Sequence, residues 1–310
     1  MVSLGQDVGA QVGTADERLE DYVRARRNWG RWGADDQVGT INLVTPEKRA
    51  RAATLVRSGR LVSLSRPFPT ALATDDPQPA QHFMKRIDKP TGGFALDYIG
   101  VDYHGRACTH LDALCHLWGE DGMWNGRDPD DEITFDGARF GGVDYWGEGI
   151  VTRGVLLDVP RYRGEPYVTA DKPVHGSELE AIAKASRIEL EPGDAIAVYC
   201  GRELFDRARA SHPAPAGPRS APGLHGSCLR FLRECDAAVL LWDMMDATPA
   251  DGPGVHGAIA NFGLALVDNA LLEPLSVACA EEGRYEFQLS LAPLRIIGGT
   301  GSPINPLALL

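Results

Sequence analysis

Two apolar runs bounded by turn-forming residues mark the middle of the chain. They are Ala195-Ile-Ala-Val-Tyr199, after Pro192-Gly193-Asp194, and Ala237-Ala-Val-Leu-Leu-Trp242. Neither alternates with polar residues, which is the pattern of strands buried on both faces. Leu61-Val-Ser-Leu64 does alternate and predicts a further strand, and Tyr285–Leu291 and Leu294–Ile297 predict closing strands. Helical patterns lie between them. Thr45-Pro46-Glu47 supplies a cap, a proline at the first helical position and a first-turn acid. It predicts a helix through Ala52, Leu55 and Val56 that stops near Gly59. Ser177-Glu-Leu-Glu180 fits a capping box and predicts a helix to about Ala185. Ser227 is expected to cap a helix through Phe231 and Leu232, and residues 271–281 read as helical. Helices alternating with apolar strands imply an α/β fold, a sheet covered by helices. Ala208–Gly223 and Thr70–Gln81 read as irregular surface loops, either of which can border a site.

A length of 310 residues fits one large α/β domain or two closely packed lobes. Hydrophobic residues at 44% and charged residues at 24% are ordinary for a chain with a real core. The net charge of −12 and a pI near 5.1 change the picture more. An acidic surface repels phosphate backbones, so no nucleic-acid partner is expected, and the short cluster Arg153, Arg161 and Arg163 reads as a solvated face. Met1–Val8 lacks the basic and apolar regions of a signal peptide, and no stretch is long and apolar enough for a membrane span. Six dispersed cysteines without a Cys-x-x-Cys pair favour reduced thiols over a disulfide framework. The expectation is a cytoplasmic protein without a membrane partner.

Candidate chemistry concentrates in His104-Gly-Arg-Ala-Cys-Thr-His110-Leu-Asp112-Ala-Leu-Cys-His116. His110 and Asp112 are two apart, so on an extended segment both side chains project to one face. His104 shares that parity and joins them if Gly105-Arg106-Ala107 bends only slightly. Imidazole nitrogen with carboxylate oxygen suits zinc, manganese or ferrous iron. A lone His-x-Asp is most often coincidence. Three histidines and an aspartate among Leu111, Ala113, Leu114, Leu117 and Trp118 are different, because burying that polarity costs several kcal/mol unless something satisfies it. Thr109 is a candidate to orient a neighbouring ligand.

Other features are weaker. His256 and Asp268, twelve residues apart, can meet across a helix–turn–strand unit, though each alone is more often structural. His225 sits at an expected helix start. His82, His175 and His212 read as surface or loop residues, with His82 near enough to the main segment to reach a pocket. Cys108 and Cys115 read as core residues more readily than as nucleophiles. Gly298-Gly-Thr-Gly-Ser-Pro303 reads as a tight turn. No Walker loop, dinucleotide fingerprint or Gly-x-Ser-x-Gly elbow is present.

The His…Thr-His-x-Asp-Ala-x-x-His run resembles the signature of the cyclase family, which contains bacterial kynurenine formamidase and isatin hydrolase. Short matches extend the likeness over most of the chain: Trp32-Gly33 to Pro46, Asp121-Gly-Met-Trp124-Asn-Gly126, Arg153–Asp158, Pro192-Gly-Asp194, Pro222-Gly-Leu224, Ala292-Pro-Leu-Arg295 and Gly301-Ser-Pro-Ile-Asn305-Pro. The resemblance implies a swivelling β/β/α-type α/β fold, a mixed sheet flanked by helices. It implies one domain over residues 1–310 with an extension over about 1–28, and a homodimer or homotetramer. It implies zinc or manganese on His104, His110 and Asp112, with His116 beside the metal as a further ligand or proton-transfer group. His256 and Asp268 match the late histidine and acid that complete the site; that histidine acts as a base or binds a second metal. Three departures stand out. Arg106 occupies the place of the compact motif's first histidine, so His104 needs a longer loop to serve. Leu114 replaces the usual proline, as in the longer bacterial branch. Asp268 stands where formamidases carry a glutamate, which puts a second metal in doubt.

The expected activity is metal-assisted hydrolysis of a small cyclic or aryl amide, or of a lactone, with His116 or His256 moving the proton. Trp118 and Trp124 are expected to wall the substrate pocket, with His82 at its edge, while Trp242 reads as core. Two rivals remain at this level. One is a metal-dependent cyclase, dehydratase or isomerase; the other is a metal-binding homologue without catalysis.

Overall fold

A computed structural model of the chain describes residues 17–71, 78–211, 220–250 and 252–310. Most of the expected amino-terminal extension, the middles of both expected loops, and His212 lie outside the described residues. Among the described residues thirteen strands follow in order: β1 Leu61–Ser63, β2 Gln81–Lys89, β3 Gly92–Gly100, β4 His110–Asp112, β5 Ile133–Thr134, β6 Gly137–Ala138 and β7 Ile150–Asp158. The rest are β8 Ala195–Tyr199, β9 Val239–Trp242, β10 Ala265–Asp268, β11 Glu286–Leu291, β12 Gly301–Pro303 and β13 Leu307–Leu309. The α-helices are α1 Leu19–Ala25, α2 Pro46–Ala53, α3 Pro129–Glu132, α4 Val159–Arg163, α5 Gly176–Ala185, α6 Arg202–Ser211, α7 Cys228–Glu234, α8 Ala258–Phe262 and α9 Glu273–Glu282.

Nine strands form one mixed sheet in the order β1-β13-β11-β7-β8-β9-β10-β4-β12. β7, β8, β9 and β10 run parallel; the pairs on either side of them are antiparallel. The parallel strands are apolar throughout because both faces are covered. Alternate residues feed two separate cores: Leu156, Ala197, Leu241 and Val267 on one side, Val155, Leu157, Ile196, Val198, Leu240 and Leu266 on the other. On the second side α5 contributes Leu179 and Ile182, and α7 contributes Leu229, Phe231 and Leu232. The mixed sheet flanked by helices is the architecture the family resemblance implies.

Several local expectations are corrected. Leu294–Ile297 forms no strand; Leu294 and Ile297 are largely exposed, and the sheet closes through β12 and β13 instead. Pro293 and the Gly298-Gly299 turn leave that apolar stretch too short to pair. Ala208–Ser211 is the end of α6, built from strong helix formers. α2 stops at Ala53, before Leu55 and Val56. Its cap is as expected, with Thr45 accepting from the Lys48 N–H. Ser177 caps nothing: α5 starts one residue earlier, and its first N–H donates to Ser227 Oγ, a residue expected to cap α7. The hairpin β2–β3, unassigned in the sequence, stands apart as a two-stranded ribbon. Its register sets Phe83 against Tyr98, Lys85 against Leu96 and Ile87 against Phe94, giving one mainly apolar face.

Candidate metal centre

β4 is three residues long and places its side chains by parity. Leu111 enters one core, while His110 and Asp112 face the other side. Register with β10 puts Asp268 opposite His110 and Leu266 opposite Asp112. Directly paired residues share a face, so Asp268 joins His110 and Asp112 there. On the other edge Gly301 of β12 lies opposite Asp112. A Cβ at Gly301 would sit 2.4 Å from the Leu111 carbonyl oxygen and 3.0 Å from His104 Cε1. The missing side chain is what makes room for the His104 ring.

His104 arrives from the loop after β3. Its Nε2 lies 2.9 Å from Thr300 Oγ1, which leaves Nδ1 facing inward, 3.0 Å from Asp112 Oδ1. The longer loop that Arg106 imposes therefore still delivers His104 to Asp112. His110 Nδ1 lies 3.0 Å from the Cys108 carbonyl oxygen and donates to it, so Nε2 turns inward, 3.4 Å from Asp112 Oδ1 and 3.8 Å from Asp268 Oδ2. Outer hydrogen bonds of this kind fix which nitrogen a histidine offers to a metal. His116 stacks on His104 with ring centroids 4.0 Å apart, and its Nε2 lies 3.8 Å from Asp112 Oδ2.

Whether these residues fit a metal is decided by Asp112. The residue is fully buried, and neither carboxylate oxygen makes a well-formed hydrogen bond; His104 Nδ1 is also buried without one. The close His104–Asp112 approach is thus a convergence of donor atoms and not a satisfied pair. Unsatisfied buried carboxylate oxygens cost on the order of several kcal/mol, a cost that a divalent cation removes. Donor atoms of His104, His110 and Asp112 lie within 4.8 Å of one another, as do those of Asp112, His256 and Asp268. An imidazole–carboxylate set of this kind fits a divalent metal ion.

His256 lies between two acids. Its Nδ1 is 2.5 Å from Asp246 Oδ2 and its Nε2 is 3.0 Å from Asp268 Oδ2. Asp268 Oδ1 accepts the Trp242 indole N–H, so the core residue Trp242 also anchors a candidate ligand. The electrostatics follow. Burial disfavours the charged ring of His256, but Asp246 and Asp268 outweigh it and raise its pKa to about 10. Burial likewise opposes charge on His110, and Asp112 beside it raises its pKa overall. Burial alone would raise the Asp112 carboxyl, yet His104 and His110 hold it well below the usual range. Burial leads at His116 and lowers its pKa, favouring the neutral ring.

The structure thus brings together His104, His110, Asp112, His116, His256 and Asp268. It does not offer Trp124, one of the expected substrate residues, to a pocket. Trp124, expected as a pocket wall, is fully buried; its indole N–H donates to the Asp36 carbonyl and its ring packs near Trp32. A side chain with no exposed surface cannot stack on a substrate. Trp118 is half exposed, and His82 sits on the β2–β3 hairpin paired with Asp97 at 3.1 Å. Asp246, Thr300 and Gly301 went unassigned as site residues, because their roles depend on contacts between distant segments. The Gly298–Pro303 run read only as a tight turn, with no sign of what it packs against.

Comparison with known proteins accords with this geometry. The profile of the putative cyclase family matches residues 62–248. The chain belongs to that family. The matched span includes β4 and its histidines but ends before His256 and Asp268. A crystal structure described as a novel cyclase is 29% identical, with a TM-score of 0.79 over 92% of this chain and 99% of that one. Isatin hydrolase A from Ralstonia solanacearum is 18% identical, covering 84% of this chain and 95% of its own at a TM-score of 0.54. Isatin hydrolase A from Labrenzia aggregata is 20% identical, covering 84% and 97% at 0.53. The isatin hydrolases are similar in fold. No curated protein matches by sequence. Among the described residues no helix is long and apolar enough to cross a membrane.

Gly301→Ala is expected to displace the His104 ring and weaken metal binding by about ten- to a hundredfold, the range for disturbed ligand support. Chelator competition measures it; an unchanged affinity would show that the β12 approach does not set the position of His104.

Proposed function

We propose that the chain is a metal-dependent hydrolase of a small cyclic or aryl amide, or of a lactone. The observation that carries this is the buried Asp112 carboxylate, unpartnered at both oxygens, with His104 Nδ1 and His110 Nε2 converging on it. A divalent zinc or manganese ion would supply Lewis acidity, lowering the pKa of a coordinated water from about 15.7 toward about 7.

His104, His110, Asp112 and Asp268 offer the ligand atoms. His116 and His256 are partly open to solvent and flank the cluster from two sides. The neutral ring of His116 is suited to accept the proton of an attacking water. His256, clamped by Asp246 through Nδ1, holds a proton at Nε2 and is suited to pass it to the leaving nitrogen or oxygen. His116 beside Asp112 and His256 beside Asp268 are the two groups placed to move protons at the centre. Trp118, half exposed and two residues beyond His116, is the aromatic side chain we place against the substrate.

The family's name supports a second reading, ring closure or dehydration on the same residues. The deciding experiment incubates the zinc- and manganese-loaded protein with formylated anilines, isatins and lactones in oxygen-18 water. Hydrolysis places the label in the product; turnover without label supports the cyclase reading, and no turnover of any of them removes the hydrolase proposal. Stripping the metal with a chelator is expected to lower Tm by several degrees. A ligand present at a thousand times its Kd adds about 4 kcal/mol to stability, and each 1 kcal/mol moves Tm by roughly 2 °C in a chain of this size. A thermal melt with and without chelator reads it, and identical curves would count against a resident ion.

A further inference from the structure

The loop between β3 and β4 carries His104 and delivers His110, yet Tyr103–Cys108 has no regular structure. Its carbonyls are held from behind by two side chains outside the candidate ligand set. Asn269 follows Asp268 at the end of β10, is fully buried, and adopts φ 54, in the left-handed region. Its Nδ2 donates to the carbonyls of Gly105 at 2.6 Å and Cys108 at 3.0 Å, and its Oδ1 accepts from Arg202 Nη1 at 2.6 Å. Arg202, the first residue of α6, donates through Nη2 to the Arg106 carbonyl at 2.5 Å. The backbone carbonyl of Asn269 accepts from Thr109 Oγ1 at 2.8 Å and from Arg66 Nε at 3.0 Å. Both polar atoms of the Asn269 carboxamide are therefore engaged, and the carbonyls of residues 105, 106 and 108 are all held.

The link to the metal centre runs through one oxygen. The Cys108 carbonyl that accepts from Asn269 also accepts from His110 Nδ1, the bond that turns His110 Nε2 inward. The Gly105 and Arg106 bonds fix the backbone directly after His104. We propose that Asn269 and Arg202 are positioning residues that set the affinity of the centre for its metal, by holding residues 105–108 in the ligand-presenting form. The inference rests on the metal-centre reading. Without the two donors the freed carbonyls turn to water, the loop samples other conformations, and metal binding must reorder it. That ordering cost appears as a weaker dissociation constant.

The test measures zinc dissociation constants by chelator competition, and visible spectra of the cobalt-substituted protein. The chains are the parent, Asn269→Gly, Asn269→Asp and Arg202→Lys. Glycine keeps the left-handed backbone at no steric cost, and aspartate keeps size and tolerance of that region but cannot donate. Lysine keeps the charge but not the two-pronged geometry of the guanidinium. Thr152→Val serves as a control, since the buried Thr152 hydroxyl donates to the Gly193 carbonyl, outside this loop. Each loop variant is expected to bind zinc about ten- to a hundredfold more weakly, with an altered cobalt spectrum. Asn269→Gly combined with Arg202→Lys should cost less than the two singles added, because both act on one loop. Thr152→Val should lower Tm and leave both readouts alone. Parent-like affinity and spectra in the loop variants would overturn the inference. Should Asn269→Gly fail to fold, unchanged affinity in Arg202→Lys overturns it as well. A parent chain that binds no zinc or cobalt removes the metal-centre reading, and the inference falls with it for that separate reason.

Discussion

Asp112→Ala is expected to leave the protein without metal and to lower kcat/KM by at least about a thousandfold. The magnitude follows from what the ion would contribute, several kcal/mol of transition-state stabilisation, at 1.36 kcal/mol for each factor of ten. Asp112 is the residue the two candidate ligand groups share. Its removal takes away the one carboxylate on which His104 Nδ1 and His110 Nε2 both converge, and leaves two imidazoles with Asp268, which lies 3.8 Å from His110 Nε2. That remainder has lost the buried charge that most favours a cation. Asp112→Asn separates charge from shape. The amide keeps the volume at a position with no exposed surface, yet offers one neutral oxygen where the carboxylate offered two charged ones. It is therefore expected to lose metal nearly as fully. Elemental analysis of parent and variants checks the metal, and kcat/KM on a substrate found by the screen checks the activity. Circular dichroism confirms that the variants fold. Full metal content in both variants would sink the assignment of Asp112 as a ligand and move the centre elsewhere.

The part of this centre legible in the sequence is the part that depends on strand parity. His110 and Asp112 project to one side because an extended backbone alternates, and no long-range contact is needed to see it. Parity also suggested His104, and the loop bends enough to deliver it. The apolar runs at 195–199 and 237–242 were readable for a similar reason. A strand covered on both faces has little freedom in composition, and β8 and β9 fall within those runs. Capping chemistry was readable only in part. Thr45 bonds its own helix, but Ser227 serves α5, which its position in the chain does not reveal.

What stayed hidden shares one property: its meaning lies in a partner far along the chain. Asp246 is an unremarked acid until β9 and the turn before α8 place it on His256. Gly301 looked like part of a turn until β12 paired with β4 and its missing side chain admitted an imidazole. Asn269 showed no motif, yet holds a loop more than 160 residues earlier in the chain. Trp124 failed in the opposite sense. Its proximity to the histidine segment suggested a pocket wall, but the amino-terminal segment folds over it and takes it into the core. Nearness in sequence is a poor guide to surface exposure when a neighbouring segment can cover the residue.

The second large effect is expected at His256, and it separates proton transfer from metal binding. His256→Ala should lower kcat by about a hundred- to ten-thousandfold, the usual contribution of a positioned acid or base, with metal content retained. Asp246→Asn should produce a loss of similar order without touching the ring. The Asp246 carboxylate holds His256 Nδ1 and is itself fixed by the Val255 N–H at 2.5 Å, so the imidazole is anchored to backbone through the acid. An amide there lacks the charge that helps keep the ring protonated, and its NH2 facing Nδ1 disfavours a proton on that nitrogen. The ring would then be neutral more often and less able to donate. Because the two residues act as one unit, the double variant should be little worse than His256→Ala alone. Single-turnover kcat, KM and metal stoichiometry on all three variants distinguish the roles. A drop in kcat at parental metal content assigns His256 to proton transfer. Loss of metal in His256→Ala with retention in Asp246→Asn would instead make His256 a ligand. In that case His116, whose burial favours the neutral form, would be left as the group moving protons at the centre.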